Sequence, residues 1–233
     1  VTFAGLIPLT LSDWPGRPAA IAFTHGCDLR CRYCHNPDLV AGPPPARIPG
    51  EEVLALLARR RGFLEGLVVT GGEPTLHPGL APFLAKVRAL GVAVKLDTNG
   101  MHPESIAALL AARLLDHLAV DLKAGPADAA WLCGSAEQPV RARRCLALAR
   151  AAGVPHEART TVAAPLHTPA ALAELSRWAE GAERWVLQRL RPDRQLDPSA
   201  GLRVPDAGLV TPLRARASLR GFGASEDRQP PVT

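Results

Sequence analysis

The sequence predicts an α/β protein whose six βα units form a partial (β/α)6 barrel, and three observations carry that reading. Short apolar runs alternate with amphipathic stretches through most of the chain, the pattern of repeated strand and helix units around a parallel sheet. The glycine-bearing and polar motifs fall at the ends of the apolar runs, where such folds keep their chemistry. At 233 residues, 47% hydrophobic and 21% charged, the chain can build one substantial core and is short for two. Periodicity alone also admits an open doubly wound sheet, which would keep the same motifs at the same strand ends.

Residues 1–17 are expected to form an N-terminal extension of a core domain that runs to about residue 205. Ala19 to Thr24, Leu67 to Thr70, Val92 to Asp97, His117 to Asp121, His156 to Val162 and Trp185 to Leu190 read as the strands, each short and rich in apolar or β-branched residues. Glu51 to Arg61, Pro82 to Leu90, Pro103 to Leu115, Val140 to Ala152 and Pro169 to Ala179 carry apolar residues at helical spacing and read as the crossovers. Gly91 and Gly153 stand where a left-handed C-terminal cap wants glycine, and Thr168 before Pro169 reads as an N-cap. Gly42 to Pro45 reads as a loop, residues 206–233 as a less regular extension, and Gly221 to Thr233 as a frayed tail.

The net charge of +5 comes almost entirely from arginine, because lysine occurs only at Lys86, Lys95 and Lys123. Without an aromatic-interleaved basic stripe, no nucleic-acid partner is expected. No apolar run reaches the length of a membrane span and no signal-peptide pattern opens the chain, so the expectation is no membrane association and a cytoplasmic location. Five cysteines, three of them between Cys27 and Cys34, do not resemble a disulfide framework and fit a reducing compartment.

Directly after the first strand, His25-Gly26-Cys27-Asp28-Leu29-Arg30-Cys31-Arg32-Tyr33-Cys34-His35-Asn36-Pro37 puts three thiols on one short loop. Three thiolates can hold three irons of a cubane and leave the fourth free to bind something else, the open position that separates a catalytic centre from a closed structural one. The alternative is zinc, with Cys31 and Cys34 as a CxxC pair and His25 or His35 completing the set. Cys133 and Cys145 are too far apart for a second knuckle and read as buried thiols.

CxxxCxxC with an aromatic before the last cysteine resembles the motif of the radical S-adenosylmethionine superfamily. The resemblance implies a [4Fe-4S] cluster on Cys27, Cys31 and Cys34, with S-adenosylmethionine on the open iron and Tyr33 and the backbone at His35 near the adenine. Gly71-Gly72-Glu73-Pro74 resembles the element that meets the cofactor's amino group. An ordinary turn would explain Asp97-Thr98-Asn99-Gly100, but the run also resembles one in the glycyl-radical-enzyme activases, which implies a monovalent cation or cofactor shell at Asp97 and Thr98. Asp121 and Lys123 share a face by alternation, and Asp121-Leu122-Lys123 is similar to an activase element at the cofactor. Polar residues on the inner strands need partners, which makes Arg159 a cofactor or substrate candidate, with Gln188 beside it. His77, His117 and His156 read as surface or structural histidines.

The opening Gly5 to Gly16, then Cys34-His35-Asn36-Pro37 and later Gln188-Arg189-Leu190-Arg191-Pro192, resemble the anaerobic ribonucleoside-triphosphate reductase activating proteins. That likeness implies hydrogen abstraction from a glycine Cα in a large glycyl radical enzyme, with flavodoxin or ferredoxin as low-potential donor. Two other classes stay open: a radical enzyme acting on a small molecule, similar to 7-carboxy-7-deazaguanine synthase, and a zinc-binding interaction protein. The extra paired-cysteine cluster region of some related activases is missing, and nothing beyond about residue 205 matches the group.

Overall fold

A computed structural model describes residues 1–213 and 215–222. In chain order these hold β1 (Thr2–Phe3), β2 (Gly5–Thr10), β3 (Ala19–Thr24), β4 (Ile48–Pro49), α1 (Gly50–Arg59), β5 (Gly66–Gly71), α2 (Leu80–Ala89), β6 (Ala93–Thr98), α3 (Pro103–Ala111), β7 (His117–Asp121), α4 (Pro126–Cys133), α5 (Gln138–Ala151), β8 (His156–Val162), α6 (Pro169–Trp178), β9 (Arg184–Arg189), α7 (Ala207–Val210) and β10 (Ser218–Arg220). All six expected strands and all five expected helices are present, with ends displaced by a few residues. Gly91 and Gly153 take positive φ, and the Thr168 hydroxyl accepts from Ala171 N. Helix α4 was not expected; its eight residues are too few to display a clear apolar period.

Strands β3, β5, β6, β7, β8 and β9 lie side by side and parallel. The sheet extends further than expected. Strand β2 pairs antiparallel with β3, and β10 pairs parallel with β9. The segments before Ala19 and after Val210 thus each supply an edge strand of the main sheet, β2 and β10. Such short edges lack the apolar alternation that announces a central strand. Residues 223–233, most of the expected frayed tail, lie outside the described residues. Among the described residues β2 and β10 do not pair with each other and form the two edges of the sheet. Arg220 of β10 reaches Asp13, just past β2, at 3.1 Å across the gap.

Alternation along each strand makes two faces. Ala20, Ala22, Leu67, Val69, Val94, Leu96, Leu118, Val120 and Leu187 pack with apolar residues of α1, α2, α3, α5 and α6 in the main core. The other face carries Ala19, Ile21, Phe23 and Val68 on β3 and β5, packed with Trp14. On β6, β7 and β8 the same face carries Lys95, Asp97, Asp121, Glu157 and Arg159, and Arg184 continues the series on β9. Pairing of Thr24 with Gly71, Asp121 with Arg159 and Thr161 with Gln188 brings the strand-end motifs to one rim. Among the described residues no helix is long and apolar enough to cross a membrane.

Candidate active site

The cysteine loop is clamped from both sides by backbone. Toward β5, Gly72 N donates to Thr24 O at 2.9 Å and Glu73 N to Gly26 O at 2.8 Å. Toward α4, Arg30 N donates to Cys133 O at 3.1 Å and Arg32 N to Leu132 O at 2.9 Å. An Arg32–Asp197 ion pair and the donation from Arg191 N to His35 Nε2, at 3.1 Å, tie the loop to the chain after β9. The close approach at β5 requires glycine: a Cβ on Gly72 would stand 2.1 Å from Gly26 O, and one on Gly71 2.4 Å from the Thr24 backbone. Gly71 also has φ of +119°, a conformation that side chains disfavour.

Cys27, Cys31 and Cys34 line a single cavity of about 200 Å3 with Tyr33, His35, Gly71 and Gly72. Asp97, Thr98, Asp121, Lys123 and Arg159 form its floor and far wall. Cys27 Sγ accepts from Leu29 N at 3.4 Å and from Asn99 Nδ2 at 3.7 Å. Burial pushes the Cys27 thiol up to about 11 and raises Cys34 as well. A hydrogen bond to Cys133, then burial, raises Cys31. Metal ligation takes the thiolate form, so loading the loop would release protons.

The charged wall is one connected network. Arg159 Nη1 meets Asp97 Oδ2 at 2.7 Å, Arg159 Nη2 meets Asp121 Oδ1 at 3.1 Å, and Lys123 Nζ meets Asp121 Oδ2 at 3.0 Å. Burial alone would raise the Asp121 carboxyl, but Lys123 and Arg159 outweigh it and hold it low. The Lys123 ammonium and the Arg159 guanidinium are in turn held charged against their burial by the aspartates. Asp97 Oδ1 is buried without a hydrogen bond, with Lys95 Nζ 3.9 Å away. An acceptor so placed needs a cation or a donor.

Glu73 stands apart from the other expected site residues. It is fully buried behind the cavity wall, where Oε1 accepts from Thr75 N, Thr75 Oγ1 and Thr98 Oγ1, and Oε2 from Asn99 N. Its carboxylate is raised by burial and occupied by these donors. In this geometry the Glu73 side chain braces the β6 rim through Thr98 and Asn99. The Thr98 hydroxyl is likewise engaged, donating to Glu73 and accepting from Gly100 N. Sequence reasoning missed two residues that build the site. Asn99 donates to Asp28 at 2.8 Å as well as to Cys27. Gln138, fully buried at the start of α5, donates to Asn99 O at 2.8 Å and Asp121 O at 2.6 Å, fastening the ends of β6 and β7 together. Asn99 follows Asp97 and Thr98 directly and could have been read from that run, whereas nothing local marks Gln138.

Comparison with known proteins decides the family. The profile of the radical SAM superfamily matches residues 21–179. The chain belongs to the radical SAM superfamily. A protein of Methanocaldococcus jannaschii, provisionally named a glycyl-radical enzyme activating enzyme, is 31% identical over 134 residues, covering 52% of this chain and 49% of its own length. The pyruvate formate-lyase-activating enzyme of Staphylococcus aureus is 38% identical over 93 residues, 37% of each chain. The matched segments thus span half or less of these relatives. A radical SAM methyltransferase from Sphaerobacter thermophilus aligns over 91% of this chain and 70% of its own with a TM-score of 0.67 at 20% identity, a likeness of fold. Streptococcus suis SuiB, solved with S-adenosylmethionine, aligns over 91% of this chain and 53% of its own at 0.62 and 16%.

The residues of this radical SAM protein fit the family's cofactors. Among the described residues no three His, Cys, Asp or Glu side chains are placed to share one metal ion, whereas a cubane takes one thiolate per iron. The orphan Asp97 Oδ1 and the buried cations beside it suit a ligand with its own amino and carboxylate groups.

Proposed function

We propose that this chain is a radical S-adenosylmethionine enzyme of the glycyl-radical-enzyme activase branch, with anaerobic ribonucleotide reductase as its protein substrate. The convergence of three loop thiols and the strand-end motifs on one cavity carries this reading. Cys27, Cys31 and Cys34 would hold the [4Fe-4S] cluster. When bound, the cluster and S-adenosylmethionine supply a 5′-deoxyadenosyl radical that can take a hydrogen atom from a glycine Cα. Backbone at Gly71 and Gly72 approaches the ligand, Tyr33 and His35 line the adenine side, and Lys123 and Arg159 face its carboxylate. Asp97 Oδ1 is the group that would take a monovalent cation; the engaged Thr98 hydroxyl is a weaker partner for it. Glu73 acts by positioning Thr98 and Asn99. Flavodoxin or ferredoxin is the electron donor in this reading, and the five free cysteines fit a reducing, cytoplasmic location.

The test is anaerobic reconstitution with iron and sulfide, followed by dithionite and S-adenosylmethionine. The wild type should release 5′-deoxyadenosine and a Cys27→Ala, Cys31→Ala, Cys34→Ala variant should not. A glycyl radical signal on added reductase, seen by electron paramagnetic resonance, establishes the partner. A protein with an intact cluster that releases no 5′-deoxyadenosine rejects the radical reading. Release without any glycyl signal moves the assignment to a small-molecule substrate.

A further inference from the structure

Lys123 is aimed by side chains more than by the sheet. It stands past the end of β7, whose pairing with β8 stops at Asp121 and Arg159. Its backbone N–H donates to Gln138 Oε1 at 3.3 Å, and its carbonyl faces His167 Nε2 at 3.0 Å. Just before it, Leu122 O accepts from Thr160 Oγ1 at 2.7 Å. The ammonium reaches Asp121 Oδ2 at 3.0 Å and lines the cofactor cavity. A lysine stem is long and flexible, so its charge is placed only when both ends are held. Asp121 holds the head, and Gln138 and His167 hold the root.

Gln138 belongs to the tie between β6 and β7, whereas His167 comes from the loop between β8 and α6. It is 2% exposed and lies outside the cavity lining. Ala163 N donates to its Nδ1 at 3.0 Å, and His167 N donates back to Ala163 O at 2.9 Å, so the loop closes on the ring. With Nδ1 accepting, the proton of the neutral imidazole sits on Nε2, where it donates to the Lys123 carbonyl. The other tautomer would set two donors against each other at Nδ1 and two acceptors at Nε2. Burial holds the imidazole below its usual range and so favours the neutral ring. An apolar side chain could fill the same space, but it would leave the Lys123 carbonyl and the Ala163 N–H without these partners.

We infer that His167 is a positioning residue for cofactor binding: as the neutral Nε2–H tautomer it fixes the Lys123 peptide, and through it the ammonium, at the wall of the cofactor chamber. It acts through Lys123 and takes no part in the chemistry. The inference rests on the proposed place of Lys123 opposite the cofactor carboxylate and adds the residue that aims it. It also couples the loop after β8 to the end of β7, across the strand that carries Arg159.

The test is a double-mutant cycle on the cluster-loaded full chain, reading S-adenosylmethionine affinity by equilibrium dialysis without reductant, so that no cofactor is cleaved. His167→Leu should weaken binding about tenfold, and His167→Gln, whose amide can still donate to the Lys123 carbonyl, by less than about threefold. In a Lys123→Met background His167→Leu should cost no further affinity, because the residue it acts through is already gone. Urea midpoints are read for every variant. A merely structural role makes the affinity loss follow the stability loss and repeats it in the Lys123→Met background. The ring is read separately on the metal-free wild type by nitrogen-15 long-range correlation spectroscopy, where the neutral Nε2–H form is expected near neutral pH. The same loss in both backgrounds, wild-type affinity in His167→Leu, or a ring protonated at Nδ1 overturns the inference. If Lys123→Met leaves too little binding to measure, the contrast between His167→Leu and His167→Gln decides, and equal losses overturn it. A wild type with an intact cluster that binds no S-adenosylmethionine rejects the chamber reading and this inference with it, whereas binding with an additive cycle rejects this inference alone.

Discussion

The two faces of the same sheet solve opposite problems. Toward the helices, β5, β6 and β7 present Leu67, Val69, Val94, Leu96, Leu118 and Val120, all fully buried, which need only to be packed. Toward the interior, β6, β7 and β8 present Lys95, Asp97, Asp121, Glu157 and Arg159, charged groups whose desolvation is offset only where partners are close. The apolar face accounts for stability. The ionic face gives the fold little net stability, and what it provides is a preset field beside the three thiols. The inner face is itself divided, because Ile21, Phe23 and Val68 keep the β3 and β5 side apolar. The charge is thus confined to the wall opposite the strand that leads into the cysteine loop.

Substitutions on the two faces separate these roles. The largest effect is expected for Arg159→Met, which leaves Asp97 and Asp121 facing each other in a half-dry site. It should cost about 3–5 kcal/mol in urea unfolding and also abolish S-adenosylmethionine binding in equilibrium dialysis. Leu118→Ala, on the outer face, should cost about 3 kcal/mol through the cavity it opens, with cofactor affinity of the folded protein unchanged. Equal damage to binding from both variants would break the division of labour between the faces.

A smaller effect comes from His117 at the other end of the ionic face, where burial and then Lys95 lower the imidazole to about 4. The fold favours the neutral ring, whereas the unfolded chain takes up a proton below about 6.5. This contribution is therefore complete above pH 6.5 and lost as the pH falls toward 4. His117→Gln should reduce the stability difference between pH 7 and pH 5 by about 2 kcal/mol, read from urea midpoints at the two pH values. The smallest effect is expected at the exposed Lys86–Glu51 pair, 2.7 Å apart. Lys86→Ala should change stability by less than about 1 kcal/mol, which sets the scale for an ion pair outside the sheet.

The central strands were legible because their apolar residues repeat every second position, and the helices because theirs repeat every third or fourth. The edges were not, since Gly5 to Thr10 and Ser218 to Arg220 are recognisable as strands only through the neighbours they pair with. Twelve of the thirteen expected site residues line the cofactor cavity and Glu73 alone does not. The GGEP run shows that the chain turns tightly there, but not which way the carboxylate points.

By itself the sequence determined the parallel βα order, the three thiols on one loop and the glycines that let that loop meet β5. All of these are properties of residues a few positions apart. The tertiary structure alone decided that Arg159 bridges Asp97 and Asp121, 62 and 38 residues away, and that Gln138 joins β6 to β7. It also decided that His167 meets the carbonyl of Lys123, 44 residues away. Such contacts depend on strand register and on the distance between facing side chains, and both exist only once the sheet has formed.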